Sequence, residues 1–261
     1  MNRITTLTLS AALALSPLAL TAPSYAAPAK ADAYTVTAKI NETVAIGKET
    51  TLKVRGRVTP KAAGQKVVLQ QRVGNKRTWK ATGSAKIRTN GTYVLKDDPS
   101  TPGMRQYRVL KPASNGIGKG FSPSLTVQVY RWERLGFRTP GPLQNVSVTG
   151  ATIGTDYYPT SLVTGLAGTA SSIEYTLGRK CLELRASYAL TDASATGSTG
   201  NVTVTTDGVV AATHPLTVGT IVAEETLDIE GAFRIRFDLT TSATPAAGFA
   251  AVATPEVLCT R

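Results

Sequence analysis

The chain has one histidine, two cysteines, two tryptophans and only 6 % aromatic residues in 261. With a single histidine, any Ser-His-Asp or Cys-His arrangement must run through His214. That residue sits in "AATHPL", directly before a proline, with no GxSxG elbow and no HExxH helix. It reads as a surface-loop histidine. Carboxylate pairs are also scarce. Glu224 and Glu225 are adjacent, so on a strand they point to opposite faces. Asp97 and Asp98 fall in a Pro-bounded turn and read as solvated. A glycosidase needs two carboxyls converging across about 5 to 9 Å, and no pair is nominated. Phosphate-cradling glycine loops and EF-hand loops are missing too. The expectation is a protein that is not an enzyme, without cofactor or metal.

Long apolar runs are confined to the start. "MNRITTLTLSAALALSPLALTAPSYA" places Arg3 before an apolar stretch and Ser24 and Ala26 before a cut, which reads as a secretory signal peptide over residues 1–26. No later segment approaches the roughly 20 apolar residues of a membrane span. A secreted, extracellular or cell-surface protein is expected, with its oligomeric state open.

Acidic residues are few, 17 against 29 Lys+Arg, and they are unevenly placed. Residues 27–130 hold 19 Lys+Arg and 5 Asp+Glu, whereas residues 131–261 hold 9 and 12. A split this sharp suggests a basic domain over 27–130 and a second domain over 131–261, with different partners.

What is present is β sequence. Short alternating segments such as "YTVTAKI", "TLKVRGRV", "TYVLK" and "LTVQVY" are separated by "TPKAAGQ", "VGNK" and "DDPSTPG". About seven strands at this spacing argue for an antiparallel sandwich. In "TLKVRGRV", Leu52, Val54 and Val58 share one face, and Lys53, Arg55 and Arg57 the other. Lys86 and Arg88 likewise oppose Ile87. These five cations are the candidate polyanion-binding set, because so few acids offset their repulsion. Trp79 reads as a core residue. The run "GQKVVLQQRVGNKRTWKATG … NGTYVLK … YRVL" resembles bacterial immunoglobulin-like repeats.

In the second half, "GAFRIRFDL" alternates Phe233, Ile235, Phe237 and Leu239 with polar residues, and Asp207-Gly208 marks a tight hairpin. Leu182, Leu184, Ala186, Tyr188 and Leu190 form an inward set that leaves Cys181 on the outer face. The ordered landmarks "ATIGTDYYPTSL", "SSIEYTLGRKCLELRASYALTD", "GNVTVTTDGVVAATHPLTVG", "ETLDIEGAFRIRFDL" and "FAAVATPEVL" resemble the NPCBM family, jelly-roll carbohydrate-binding modules appended to secreted glycoside hydrolases. The family's Gly-Leu-Gly-x-His stretch and late tryptophan are absent; "PTSLVTGLAG" and Phe249 stand there instead. The resemblance implies an all-β chain, an immunoglobulin-like sandwich followed by a jelly roll.

In a jelly roll, strands far apart in sequence lie side by side, so Cys181 and Cys259 can meet. Export and the lack of a nearby histidine favour a disulfide over a metal pair or reactive thiols. Closing a loop of 78 residues (259 minus 181) is worth about 4 kcal/mol in the chain-entropy model.

Sugar recognition needs aromatic platforms beside convergent polar groups, and Trp132, Asp156, Tyr157, Tyr158 and Asp192 are the candidates. The expected function is non-catalytic binding. The second domain would contact glycan or cell-wall polysaccharide, and the basic domain an anionic envelope polymer. The alternatives are a structural or adhesion protein with protein partners, and an accessory subunit of a separate hydrolase. Nucleic acid ranks below these, since the aromatic residues do not interleave with the basic ones along the sequence.

Overall fold

The computed structural model describes residues 32–244 and 246–260. The leader expected at residues 1–26 lies outside the described residues. The chain is all-β, as its alternation requires, and a three-residue turn of 3₁₀ helix at Leu135–Phe137 is the helical element among the described residues.

The first nine strands are β1 (Thr35–Ile40), β2 (Val44–Ile46), β3 (Leu52–Thr59), β4 (Lys66–Val73), β5 (Lys80–Lys86), β6 (Thr92–Asp97), β7 (Gly103–Lys111), β8 (Gly120–Phe121) and β9 (Leu125–Arg134). One sheet runs β1–β3–β6. The other runs β5–β4–β7–β9, with β2 parallel to β9 and β8 beside β7. Leu52, Val54 and Val58 do face inward, packed with Tyr93, Tyr107, Val109, Val127 and Val129. Burying each such side chain contributes about 1.5–3 kcal/mol.

Asp97 is not the solvated turn residue its sequence context suggested. It ends β6 and takes hydrogen bonds from Thr82 Oγ1 at 2.6 Å and Tyr107 Oη at 2.5 Å, with buried Arg105 at 4.0 Å. Burial and then this acidic partner push the Tyr107 hydroxyl well above its ordinary pKa.

The remaining strands are β10 (Leu143–Gln144), β11 (Val146–Ile153), β12 (Asp156–Thr164), β13 (Ser171–Thr176), β14 (Cys181–Leu190), β15 (Thr199–Thr206), β16 (Val209–Thr217), β17 (Ile221–Asp228), β18 (Arg234–Thr241) and β19 (Ala250–Cys259). They form a sheet β10–β13–β18–β15–β16 and a sheet β11–β12–β19–β14–β17. Tyr175, Phe237, Ile173, Tyr188 and Leu184 fill the space between the two. Phe233, expected inward, is 43 % exposed because β18 begins only at Arg234.

The two cores are joined through one strand. Leu125 to Val129 of β9 pair with β7, and Arg131 to Arg134 of the same strand pair with β19. Residue 130 therefore lies inside a continuous strand. Strand pairing runs on both sides of that point.

Asp207 and Gly208 turn β15 into β16 with φ of 49° and 87°, the pair of positive angles that a type I′ turn needs. Cys181 and Cys259 are bonded and stand directly opposite each other on β14 and β19. Cys181 is buried among the core residues, not on the outer face. A bulge explains this: Cys181 faces Cys259 but Glu183 faces Leu258, so one extra residue resets the inside–outside parity.

Candidate functional site

A crease crosses the outer face of the β11–β12–β19–β14–β17 sheet. It is made by three bulges at one level. Pro159–Thr160 of β12 stand opposite Gly150, Thr254–Pro255 of β19 opposite Ala186, and Ala223–Glu224 of β17 opposite Ser187. Each bulge holds a non-glycine residue in the left-handed region: Thr160 at φ 58°, Thr254 at 41° and Glu224 at 48°. For threonine this is a true outlier, and each such residue costs about 1–3 kcal/mol.

The hydroxyls of buried Ser161 and Ser187 and half-buried Thr254 hold the crease in place. The Ser161 hydroxyl donates to Tyr158 O at 2.9 Å and accepts from Thr254 N at 3.1 Å. The Thr254 hydroxyl donates to Pro159 O at 2.8 Å, and Ser187 Oγ accepts from Glu224 N at 2.9 Å. Side chains thus stand in for the strand partners that the bulges remove. The prolines inside two otherwise regular strands are the signal that could have revealed them, since proline in a sheet is confined to edges and bulges.

The result is an open groove of about 620 Å³. Ser187, Ala253 and Thr254 form its floor, Tyr158 and Pro159 one end, and Glu224 and Thr226 the other. Arg134, Arg185 and Glu256 line a side. Arg185 Nε and Nη2 lie 2.8 and 2.7 Å from Glu256 Oε2, and Arg134 Nε lies 3.5 Å from Oε1. The Arg185 guanidinium also rests 4.2 Å from the centroid of the Trp132 ring. Two cations and two carboxylates leave the groove formally neutral. Arg185, Arg134 and Glu256 hold one another in place, whereas the exposed Glu224 carboxylate on the far side has no side-chain partner among the described residues.

The sugar candidates divide. Tyr158 lines the groove and Trp132 backs it through Arg185. Tyr157, 68 % exposed, lies over Gly150, where an added Cβ would fall 2.0 Å from its hydroxyl. Asp156 opens β12 at the β11–β12 turn. Asp192 is occupied there, accepting from Gly154 N at 2.9 Å while its own N–H donates to Thr152 O. Arg134, Arg185, Ser187, Glu224 and Glu256 were not nominated by sequence.

A second feature is the outer face of β1–β3–β6. Register sets Lys39 beside Arg55 and Lys53 beside Lys96, with Arg57 on the same row of β3. Arg88 joins Lys53, Arg55 and Lys96 around a shallow depression of about 520 Å³. None of these six cations forms an ion pair among the described residues. Like charges directly across a ladder repel, so this face is built against its own stability. Gly56 lets the face close, because a Cβ there would meet Thr37 O at 1.8 Å and Tyr93 Oη at 2.5 Å. Lys86 does not belong to the group; it lies on β5 of the other sheet, directly across from Lys66.

His214 is not in a surface loop. It sits in β16, buried, stacked on Tyr188 with ring centroids 4.1 Å apart, its Nε2 2.9 Å from Glu225 Oε2. Both atoms are buried, and neither has a hydrogen-bond partner among the described residues. No serine or threonine hydroxyl is hydrogen-bonded to His214 among the described residues. The pair links the two sheets of the second sandwich. Glu224 and Glu225 indeed take opposite faces, one toward the groove and one toward the histidine.

Among the described residues no group of three or more His, Cys, Asp or Glu could hold a metal ion, and no helix is long and apolar enough to cross a membrane.

No family model and no curated protein matches the chain. Among solved structures it is similar to the CBM36-1 domain of a multidomain xylanase from the hindgut metagenome of Trinervitermes trinervoides. That match has 12 % identity and a TM-score of 0.30, and covers 49 % of this chain and 95 % of that one. At those values it carries no weight for ligand or site, and neither family resemblance in the sequence gains support from it.

Proposed function

We propose that the protein is a secreted, non-catalytic binding protein whose creased groove takes a neutral polysaccharide. The observation that carries this reading is the alignment of three bulges into one open, charge-balanced groove ending on Tyr158. Holding three left-handed residues at one level costs several kcal/mol by the estimate above, and strain of this kind clusters at ligand-binding sites. In this reading Tyr158 supplies a face for a sugar ring. Arg185 and Glu256 supply paired donors and acceptors for neighbouring hydroxyls, and Glu224 an acceptor from the far wall. Glu256 is neutralised by two arginines and Glu224 is exposed, so neither is set up as half of a glycosidase pair.

The β1–β3–β6 face serves a different role in this proposal: it holds the protein to an anionic envelope polymer through unpaired cations. The secreted state is supported by the leader expected at residues 1–26 and by the buried disulfide.

The test is affinity electrophoresis of the chain through gels containing neutral polysaccharides. Retardation by one of them, lost in Tyr158→Ala and Glu256→Gln, supports the groove. Retardation that survives both substitutions places the sugar elsewhere. A chain that no neutral polysaccharide retards is not a glycan-binding protein of this kind, and protein partners become the leading reading.

A further inference from the structure

We propose that the outer face of β4 and β7, on the side of the first sandwich opposite the β1–β3–β6 face, is an oxyanion site built from Arg72 and Arg108 around Trp79. It takes sulfate or phosphate ester groups carried on a polysaccharide. The site is independent of the groove and of the cationic β3 face.

Trp79, expected in the core, precedes β5 and packs on this outer face instead. Arg108 lies over its ring at 4.3 Å and Arg72 at 4.8 Å. Arg108 also lies 4.2 Å over Phe121, and Lys119 Nζ lies 5.9 Å from the same ring centroid. Cations and aromatics from four segments of the chain therefore alternate on one face.

The two arginines are held in mirrored fashion. Register places Gln70 opposite Arg108 and Arg72 opposite Gln106. Arg108 Nε donates to Gln70 Oε1 at 2.8 Å, and Arg72 Nε donates to Gln106 Oε1 at 2.5 Å. Each guanidinium is thus fixed by its Nε, while neither terminal nitrogen has a protein partner among the described residues. A planar fork with free terminal N–H groups is the donor geometry that matches tetrahedral oxyanions and carboxylates. Arg72 and Arg108 are diagonal neighbours, about 7–8 Å apart at the backbone. No carboxylate forms an ion pair with either among the described residues. The Arg108 guanidinium is held below its ordinary pKa by burial and then by the charge of Arg72, which shows the two cations opposing each other. A ligand bearing two or more negative oxygens relieves that opposition.

The chemistry favours ester-bearing polysaccharide over single-stranded nucleic acid. Base stacking needs bare aromatic faces. Here guanidiniums already lie over Trp79 and Phe121, and what is offered outward is N–H edges.

The experiment uses the full chain with Trp132→Phe, which leaves Trp79 as the sole tryptophan because the chain has two. Its emission is followed during titration with dextran sulfate, unsulfated dextran and oligo(dT) at low salt. The expected result is an emission change with dextran sulfate alone. Arg72→Gln with Arg108→Gln should weaken it at least tenfold, whereas Lys53→Gln with Arg55→Gln and Arg57→Gln should leave the change in place. Arg72→Lys with Arg108→Lys keeps the charge and the fold but loses the fork, and should bind several-fold more weakly. No response to dextran sulfate overturns the site, and equal binding by the lysine variant overturns the fork. A tighter response to oligo(dT) overturns the polysaccharide assignment in favour of nucleic acid.

Discussion

The backbone N–H of Glu224 is capped by the hydroxyl of Ser187 at 2.9 Å, and that bond anchors the β17 end of the crease. Ser187 is buried, so Ser187→Ala leaves a donor without a partner in a partly closed place. We expect a loss of about 1–2 kcal/mol in a urea unfolding titration. Retardation by the neutral polysaccharide should weaken as well, because Glu224 loses its fixed position. Full stability in the variant would mean that the bulge needs no side-chain support.

Arg185 joins Trp132 to Glu256. Arg185→Ala strands Glu256 beside the more distant Arg134 and frees the indole face. Expected outcome: unfolding midpoint nearly unchanged, since exposed ion pairs contribute little, but sugar affinity reduced at least tenfold. A large fall in stability with intact affinity would assign Arg185 to structure.

The carboxyl of Asp207 is held below its ordinary pKa by N–H bonds from Phe233 at 2.9 Å and Arg234 at 2.8 Å. Its folded pKa is thus lower than its unfolded one. The stability it contributes is fully present above the unfolded carboxylate value and disappears as pH falls through the folded value. Thermal melts from pH 6 down to pH 2 should show this loss in the native chain. Asp207→Asn keeps a residue tolerant of the left-handed turn and should flatten that part of the profile; an unchanged profile would contradict the assignment.

The disulfide closes 78 residues and pins β19 to β14. Cys181→Ala with Cys259→Ala should cost about 4 kcal/mol in chemical denaturation. Because β19 also pairs with β9, the loss should reach the junction and increase hydrogen exchange at Arg131 to Arg134. Exchange confined to residues near position 259 would show that the junction stands without the bridge.

How much of this was readable beforehand differs by element. Strict alternation in β3 and the Asp207-Gly208 turn were legible, because a period of two and a pair of positive φ angles are local properties. The bond between Cys181 and Cys259 was legible from export and residue count, but not the side on which Cys181 sits, because one bulged residue inverts parity. The same lesson applies to the groove: Pro159 and Pro255 interrupt strands in the sequence, yet only register shows that their bulges align. Trp79 was misplaced for a related reason. Its arginine partners come from β4 and β7, and pairing between distant strands is invisible to a window of neighbouring residues. His214 was misread because the proline after it resembles a loop signal while still fitting within β16.

The most direct measurement of the central claim is backbone NMR of the full chain titrated with the neutral polysaccharide fragment that retards it most. The account predicts shift changes centred on Tyr158, Ser187, Glu224, Thr254 and Glu256 across four strands, with His214 and the β3 face unmoved. Changes centred on His214 and Glu225, or accompanied by cleavage of the fragment, would contradict it.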